Sequence, residues 1–187
     1  MNSHRATFGK PKFEMDNRMR LFATLSIALT AIALGSASGF AADAGERVAE
    51  LEAYWTEVAR AVQAGDFEGY KATCHEEGVL VSGVRQNSQP LAVALARWKK
   101  DFTATKSGKI KANVEFRFSQ RIGDNVTAHE TGIFCYSMVD AEGKSTSEYI
   151  HFEGLLVKRH GKWLILMEYQ KSKATLDEWE ALRPERE

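Results

Sequence analysis

The sequence contains little of what marks a cross-linked, fibrous or disordered chain. Its 187 residues include only 2 cysteines and 3 prolines, which excludes a disulfide-rich scaffold and a proline-rich repeat. The 25 basic and 25 acidic residues give no net charge, so no long-range field favours nucleic acid or an anionic membrane surface as a partner. The hydrophobic fraction of 44% is typical of one ordinary globular domain.

Motifs that bind metals or nucleotides are also missing. The chain has no Cys-x-x-Cys pair and no His-Glu-x-x-His segment, so we predict no metal site. It has neither of the glycine-rich loops that hold phosphates, nor the Gly-x-Ser-x-Gly turn of serine hydrolases. We therefore predict a protein that works without a cofactor and does not bind nucleic acid.

Residues 1–42 differ from the rest of the chain and predict a secretory signal peptide. Basic residues ending at Arg20 precede an apolar stretch of 14 residues at 21–34, and mostly small residues follow. A membrane span needs ~20 apolar residues, so we expect cleavage, best placed after Ala41. The sequence then predicts a domain over 43–187 that is periplasmic or secreted and meets the membrane only through its export signal.

The predicted export leaves three questions open. Residues 21–42 carry no charge, so an uncleaved N-terminal anchor is the alternative to cleavage. The segment before the apolar stretch is long for a signal peptide, which makes Met15 or Met19 an alternative start. Export would place Cys74 and Cys135 where disulfides persist, but the sequence does not decide between a bridge and two free, buried thiols.

Apolar periodicity predicts helices at the start of the domain. A helix over 46–64 carries an apolar stripe at three- and four-residue steps, and Gly65 ends it. Asp66 then caps a short second helix over 67–74. The stripe on the first helix consists of Val48, Leu51, Trp55, Val58 and Val62.

A third helix is predicted after a brief strand at 79–81 and a polar loop. Ser88 and Pro90 begin it as cap and first-turn proline. Near the end of the chain, a capping-box sequence starting at Thr175 predicts a last helical turn through Leu182. The buried stripe of the third helix is expected to be Leu91, Leu95, Trp98 and Phe102.

From residue 110 onward the pattern changes to a period of two, which predicts strands with one wet face. Gly132 and Gly154 interrupt the long strands and allow the sheet to bend. The predicted fold class is therefore α+β, a long, curved antiparallel sheet wrapped around N-terminal helices with a cavity between them. The predicted strands cover 110–122, 126–139, 145–159 and 162–170 and form an antiparallel meander.

Over 46–172 the sequence resembles the nuclear transport factor 2-like superfamily, in particular its SnoaL-like and ketosteroid-isomerase-like branch. The likeness lies in the order of elements, in the Gly65-Asp66 break followed by Tyr70, and in Gly132 inside the second long strand. It lies above all in the closing hairpin VKRHGKWLI at 157–165. The resemblance implies a cone-shaped α+β roll of the cystatin-like type, a deep pocket and a homodimer.

The resemblance implies no particular reaction, because this fold hosts isomerases, dehydratases, cyclases, hydrolases and binding modules. In ketosteroid isomerases the general base is an aspartate in the segment after the first short strand. The corresponding segment here, 79–85, reads VLVSGVR and contains no carboxylate. The steroid-isomerase mechanism is therefore not implied for this chain.

Acidic and basic side chains on the strands are the candidates for chemistry. Glu130 interrupts an apolar row on its strand, and an inward carboxylate would be desolvated and suited to proton transfer at neutral pH. His151 and Glu153 point the same way on the next strand, within cross-strand reach of Glu130. The alternatives are a plain salt bridge at Glu130 and a position facing solvent for His151 and Glu153.

Two function hypotheses follow. In the first, the exported domain binds a small apolar molecule in its pocket, with no chemistry. In the alternative it is a cofactor-independent acid/base enzyme of the isomerase, dehydratase or cyclase type, using Glu130 with or without His151 as catalytic residues. The expected pocket wall comprises Tyr54, Phe116, Phe134, Tyr136, Glu153, Met167 and Tyr169.

Overall fold

The computed structural model describes residues 45–182. The predicted signal peptide over 1–42 lies outside them. In chain order the elements are α1 (45–64), α2 (Phe67–Ala72), β1 (Cys74–Ser82), β2 (Asn87–Pro90), α3 (Leu91–Lys106), β3 (Lys111–Gly123), β4 (Thr127–Val139), β5 (Ser145–Arg159), β6 (Lys162–Lys173) and α4 (Leu176–Ala181).

The six strands form one curved, open sheet in the order β2-β1-β6-β5-β4-β3. Strands β3 to β6 are the predicted antiparallel meander, and the α+β fold class is confirmed. Strand β1 adds to β6 in parallel and pairs with the short β2 in an antiparallel hairpin. The sequence prediction missed β2 and the first half of β1.

Helix α1 packs on the inner face of the sheet, as its apolar stripe predicts. Leu51, Trp55 and Val58 are all at most 7% exposed. The ring of Trp55 lies 4.4 Å from that of Phe116 on β3, measured between centroids. Gly65 ends the helix with φ of +63°, and a Cβ there would lie 2.4 Å from a backbone nitrogen of α3. This close approach brings α1 and α3 together over the sheet.

A β-bulge in β3 and another in β6 reverse the side-chain alternation that the sequence predicts. In β3, Phe118 pairs with Gly132 and Gln120 with Thr131, so the residue between them, Ser119, has no partner. In β6, Ile165 and Met167 pair with consecutive residues of β5, which leaves Leu166 unpaired. Because one extra residue shifts a period of two by half, the residues that follow in β3, and Met167 to Gln170 in β6, face the side opposite to that predicted. A second bulge in β6, at Lys171, shifts the alternation again.

The C-terminal helix α4 covers part of the outer face of the sheet. Thr175 caps it, and Glu178 completes the predicted capping box. Trp179 is 4% exposed and lies under the guanidinium of Arg117, 3.8 Å from the ring centroid. Among residues 45–182, none of the helices has the length and apolar character needed to cross a membrane.

Candidate functional site

A cavity of about 650 Å³ lies between the inner face of the sheet, α1 and α3. Nine aromatic side chains contribute to its wall, on α1, α2 and α3 and on β3 to β5. The structure places Tyr54, Phe116, Phe134 and Tyr136 among them. The volume lies within the range of ~300–1,000 Å³ that is usual for small-molecule sites.

The base of the cavity is built around Trp55. Its ring centroid lies within 5.7 Å of the centroids of Phe116, Phe118 and Phe152, which come from two different strands. Such tilted and edge-on contacts fix the rings relative to one another. The apolar end of the site is thus a rigid aromatic surface.

Glu130 lies beneath this base and does not line the cavity. Its carboxylate is fully buried, accepts a hydrogen bond from the indole nitrogen of Trp55, and is paired with Arg121 Nε at 2.5 Å. Arg121 also binds Glu52 on α1. The bulge at Ser119 turns Arg121 inward, whereas the apolar side chain of Ile122 turns outward and is 51% exposed. Glu130 thus lies in a salt bridge, which was the alternative to a role in proton transfer.

His151 and Glu153 lie on the outer face of β5, which corrects the prediction that they share the pocket with Glu130. On β5, Gly154 pairs with the inward Glu130 of β4. Because successive side chains of a strand point to opposite faces, Glu153 and His151 point outward. His151 lies 3.3 Å from Glu178 of α4. Hydrogen bonds from Lys171 and His129 lower the pKa of Glu153 on the same outer surface. The predicted proton-transfer set is therefore not assembled.

Met167 and Tyr169 are also absent from the cavity wall, for a different reason. The bulge at Leu166 turns both toward the outer face, where Met167 pairs with Leu155 and Tyr169 with Glu153. The same shift turns Glu168 and Gln170 inward, and both line the cavity. No pattern in the sequence marks Leu166 as the bulged residue, so the prediction missed this pair.

Glu168 is the carboxylate on the inner wall. It sits opposite Gly154, which has no side chain to cover it. Burial raises the pKa of Glu168, and a hydrogen bond of 2.7 Å from Gln170 Nε2 partly opposes that effect. Tyr70 lines the same cavity, and burial raises its pKa well above its usual value, with the charge of Glu168 adding to the effect.

The mouth of the cavity carries charges of both signs. Four basic side chains and two acidic ones contribute to it, and five of the six are exposed to solvent. Exposed charges of this kind are screened by water and salt. They comprise Arg85, Arg97, Lys100 and Lys173 on the basic side, and Asp101 and Glu148 on the acidic side.

Cys74 and Cys135 are both free thiols, so the bridge that the sequence left open is not formed. Their strands, β1 and β4, are three positions apart in the sheet, and each spacing is about 4.8 Å. Burial raises the pKa of the Cys74 thiol to about 12. Within the part of the chain that the structure describes, no three His, Cys, Asp or Glu side chains are grouped to hold a metal ion.

The helices, the curved sheet and the enclosed cavity define the fold of the nuclear transport factor 2-like superfamily, as the sequence predicts. Within this class the family is given by a sequence match. The model of the calcium/calmodulin dependent protein kinase II association domain matches residues 47–175, and the chain belongs to that family.

Solved structures show the same fold. A putative calcium/calmodulin dependent protein kinase II association domain from Xanthomonas campestris is 20% identical, with a TM-score of 0.51, over 64% of this chain and 83% of that one. A ketosteroid isomerase-like protein from Erwinia carotovora atroseptica is 19% identical, with a TM-score of 0.51, over 70% and 98% of the two chains. At such identities the likeness extends to the fold alone. None of the curated proteins matches the chain.

Proposed function

We propose that the protein binds a small, largely apolar molecule in the cavity between α1, α3 and the sheet. The observation that carries this proposal is the volume of about 650 Å³ beside an aromatic base. Protein interiors are otherwise packed with few voids larger than a water molecule. An open space of this size, walled by nine aromatic rings and reached through a charged mouth, is what a ligand with an apolar body requires.

A pair of substitutions on one strand separates binding in the cavity from binding to the surface. Ala112 lines the cavity and is 7% exposed, whereas the side chain of the next residue, Asn113, points to the other face of β3. Ala112→Trp fills the space that a ligand would take, and Asn113→Trp adds the same group outside it. The probe is N-phenyl-1-naphthylamine, a neutral dye whose fluorescence rises in apolar surroundings.

Titration of the dye should give saturable binding to the wild type and to Asn113→Trp, with dissociation constants within about twofold. Ala112→Trp should weaken binding by about tenfold or more, because the indole displaces the apolar body of the dye and a loss of ~1.4 kcal/mol of apolar burial is tenfold in affinity. Thermal unfolding of both variants controls for folding. Equal affinities for the two variants, or no saturable binding to the wild type, would contradict the proposal.

We also propose that the binding domain is exported and forms a homodimer. Export is supported by residues 1–42 alone, through their basic start, apolar centre and small-residue end. The dimer is supported by the resemblance to the superfamily. Native mass spectrometry of protein from its own producing cell tests both, because it gives the N-terminus, the subunit number and any retained ligand. A monomer mass that retains residues 1–42 would contradict both.

A further inference from the structure

We propose that the cavity takes an organic ammonium ligand, with Glu168 as the counter-ion of the cationic nitrogen and the aromatic wall as the site of its apolar body. This inference rests on the proposed binding function and names the chemical class of the ligand. It depends on an inward carboxylate without a cation, on the aromatic rings around it and on the neutrality of its other neighbours.

Glu168 has no ion-pair partner among the described residues, whereas three other glutamates that are at least partly buried are each paired with a cationic side chain. Glu130 is paired with Arg121, Glu153 with Lys171 at 2.6 Å and Glu50 with Lys158 at 2.6 Å. Among the described residues, the one side-chain hydrogen bond of Glu168 comes from the neutral amide of Gln170. An ionised carboxylate that is removed from water needs an opposite charge. In this cavity a bound cation can supply it.

The wall beside Glu168 suits a cation with an apolar surface. Ring faces carry negative potential, and an ammonium group within ~6 Å of a ring centroid is attracted to it. The same chain already uses this contact outside the cavity, where the Arg121 guanidinium lies 4.2 Å from the Phe118 centroid. Tyr54, Tyr70 and Trp98 line the same cavity as Glu168.

No other charged group near Glu168 takes the place of such a ligand. Three titratable groups have a pKa that is raised mainly by burial and further by the charge of Glu168: Tyr54 on α1, Tyr70 on α2 and Cys74 on β1. All three are therefore neutral at physiological pH. On β5 the facing residue is Gly154, beyond which the buried Glu130 is already paired.

Among the described residues, no charged side chain at the mouth forms an ion pair with Glu168, and Lys173 lies 4.0 Å from Glu148 instead. The charged groups at the mouth are Arg85 (after β1), Arg97, Lys100 and Asp101 (α3), Glu148 (β5) and Lys173 (β6). Burial raises the pKa of Glu168 and the hydrogen bond from Gln170 partly opposes that effect, so without a cation beside it the carboxyl group holds its proton to a higher pH than an exposed glutamate does. Binding of a cation favours the ionised form, so it should release a proton and strengthen as pH rises.

Two isosteric probes test the inference on the full chain. Benzyltrimethylammonium and neopentylbenzene have the same shape and differ by one nitrogen in place of carbon, that is, by one positive charge. A quaternary ammonium cannot lose a proton, so any pH dependence of its binding reports a protein group. Dissociation constants are measured by calorimetry or by NMR titration between pH 4 and 8 for the wild type, Glu168→Gln and Glu115→Gln. The last variant makes the same change at an exposed glutamate of β3 that does not line the cavity.

The wild type should bind the ammonium more tightly than neopentylbenzene, with an affinity that increases from pH 4 to 8, because the pKa of Glu168 is raised above 4.5. Glu168→Gln should weaken the binding of the ammonium by about tenfold or more and abolish the increase in affinity with pH. The reason is that a neighbouring opposite charge shifts the ionisation equilibrium of a carboxyl group by at least that factor. The affinity of neopentylbenzene should change by less than about threefold in this variant. Glu115→Gln should behave as the wild type, because its carboxylate is exposed to solvent outside the cavity.

If neopentylbenzene binds and the ammonium binds no better, or if Glu168→Gln weakens both probes equally, the inference is overturned while the binding function stands. If neither probe binds, the proposed function fails with it. Should Glu168→Gln not fold, the pH profile of the wild type decides alone: an affinity for benzyltrimethylammonium that stays constant or falls with rising pH overturns the inference.

Discussion

The buried ion pair between Glu130 and Arg121 predicts a large loss of stability when its charge balance is broken. Glu130→Gln is nearly isosteric and keeps an oxygen for the Trp55 indole, but it leaves the guanidinium of Arg121, whose side chain is 15% exposed, facing a neutral amide. Breaking a buried pair on one side costs ~3–5 kcal/mol. With a urea slope of ~2 kcal/mol per molar, the midpoint of unfolding should fall by roughly 2 M.

Glu52→Gln is the matched control, because Glu52 binds the same guanidinium from a side chain that is 58% exposed. Exposed pairs contribute ~0–1 kcal/mol, so the midpoint of this variant should fall by less than about 0.5 M. Urea titration followed by tryptophan fluorescence measures both. A loss below ~1 kcal/mol for Glu130→Gln, or equal losses for the two variants, would refute the description of Glu130 as a structural anion beneath the cavity.

Two further predictions concern the inner wall. Burial raises the pKa of Glu168 above the usual 4.5, so the neutral carboxyl stabilises the fold at low pH, and this contribution is lost as pH rises from there through the raised value. Glu168→Gln should therefore exceed the wild type in the free energy of unfolding at pH 7 and match it at low pH; urea titrations showing the reverse trend would contradict this. Gly132→Ala should cost ~1–3 kcal/mol in thermal unfolding, since its Cβ would lie 2.0 Å from the Arg117 carbonyl oxygen, whereas Gly154→Ala meets only the end of a side chain at 3.1 Å and should cost less. Equal losses would be inconsistent with the close approach of β3 and β4.

The helical half of the fold follows closely from local signals. The stripe around Leu51 and Trp55, the glycine stop at Gly65, the cap at Asp66 and the capping box at Thr175 all act within a few residues of the chain. Where such local signals conflict with pairing, the prediction fails. Serine is a common helix-capping residue, but Ser88 lies in β2, because its backbone pairs with that of Val81 on β1.

The cavity wall could be predicted only up to the first bulge on each strand. Alternation correctly puts Phe116 on β3 and Phe134 on β4 toward the cavity. Beyond Leu166 the same alternation assigns the side chains of β6 to the wrong faces. It predicts that Tyr169 points inward, whereas Glu168 does. A bulge is set by twist and by the fit between neighbouring strands, and these long-range features leave no mark in the local pattern.

Glu130 illustrates the same limit for electrostatics. The apolar row around it correctly indicates a buried carboxylate, and its exposure is 0%. Its partner, Arg121, reads as an outward residue in strict alternation and turns inward only because Ser119 is bulged. Whether a buried acid is free for chemistry or held in an ion pair therefore depends on a register that sequence periodicity does not contain.

A crystal structure of the protein grown with 4-bromobenzyltrimethylammonium tests the central claim most directly, because the anomalous signal of bromine locates the ligand without prior assumptions. The account predicts one strong peak among the aromatic rings of the cavity, with density for the ammonium group beside the Glu168 carboxylate. Peaks confined to the outer surface, or a cavity closed by the side chains of α1 and α3, would contradict the account.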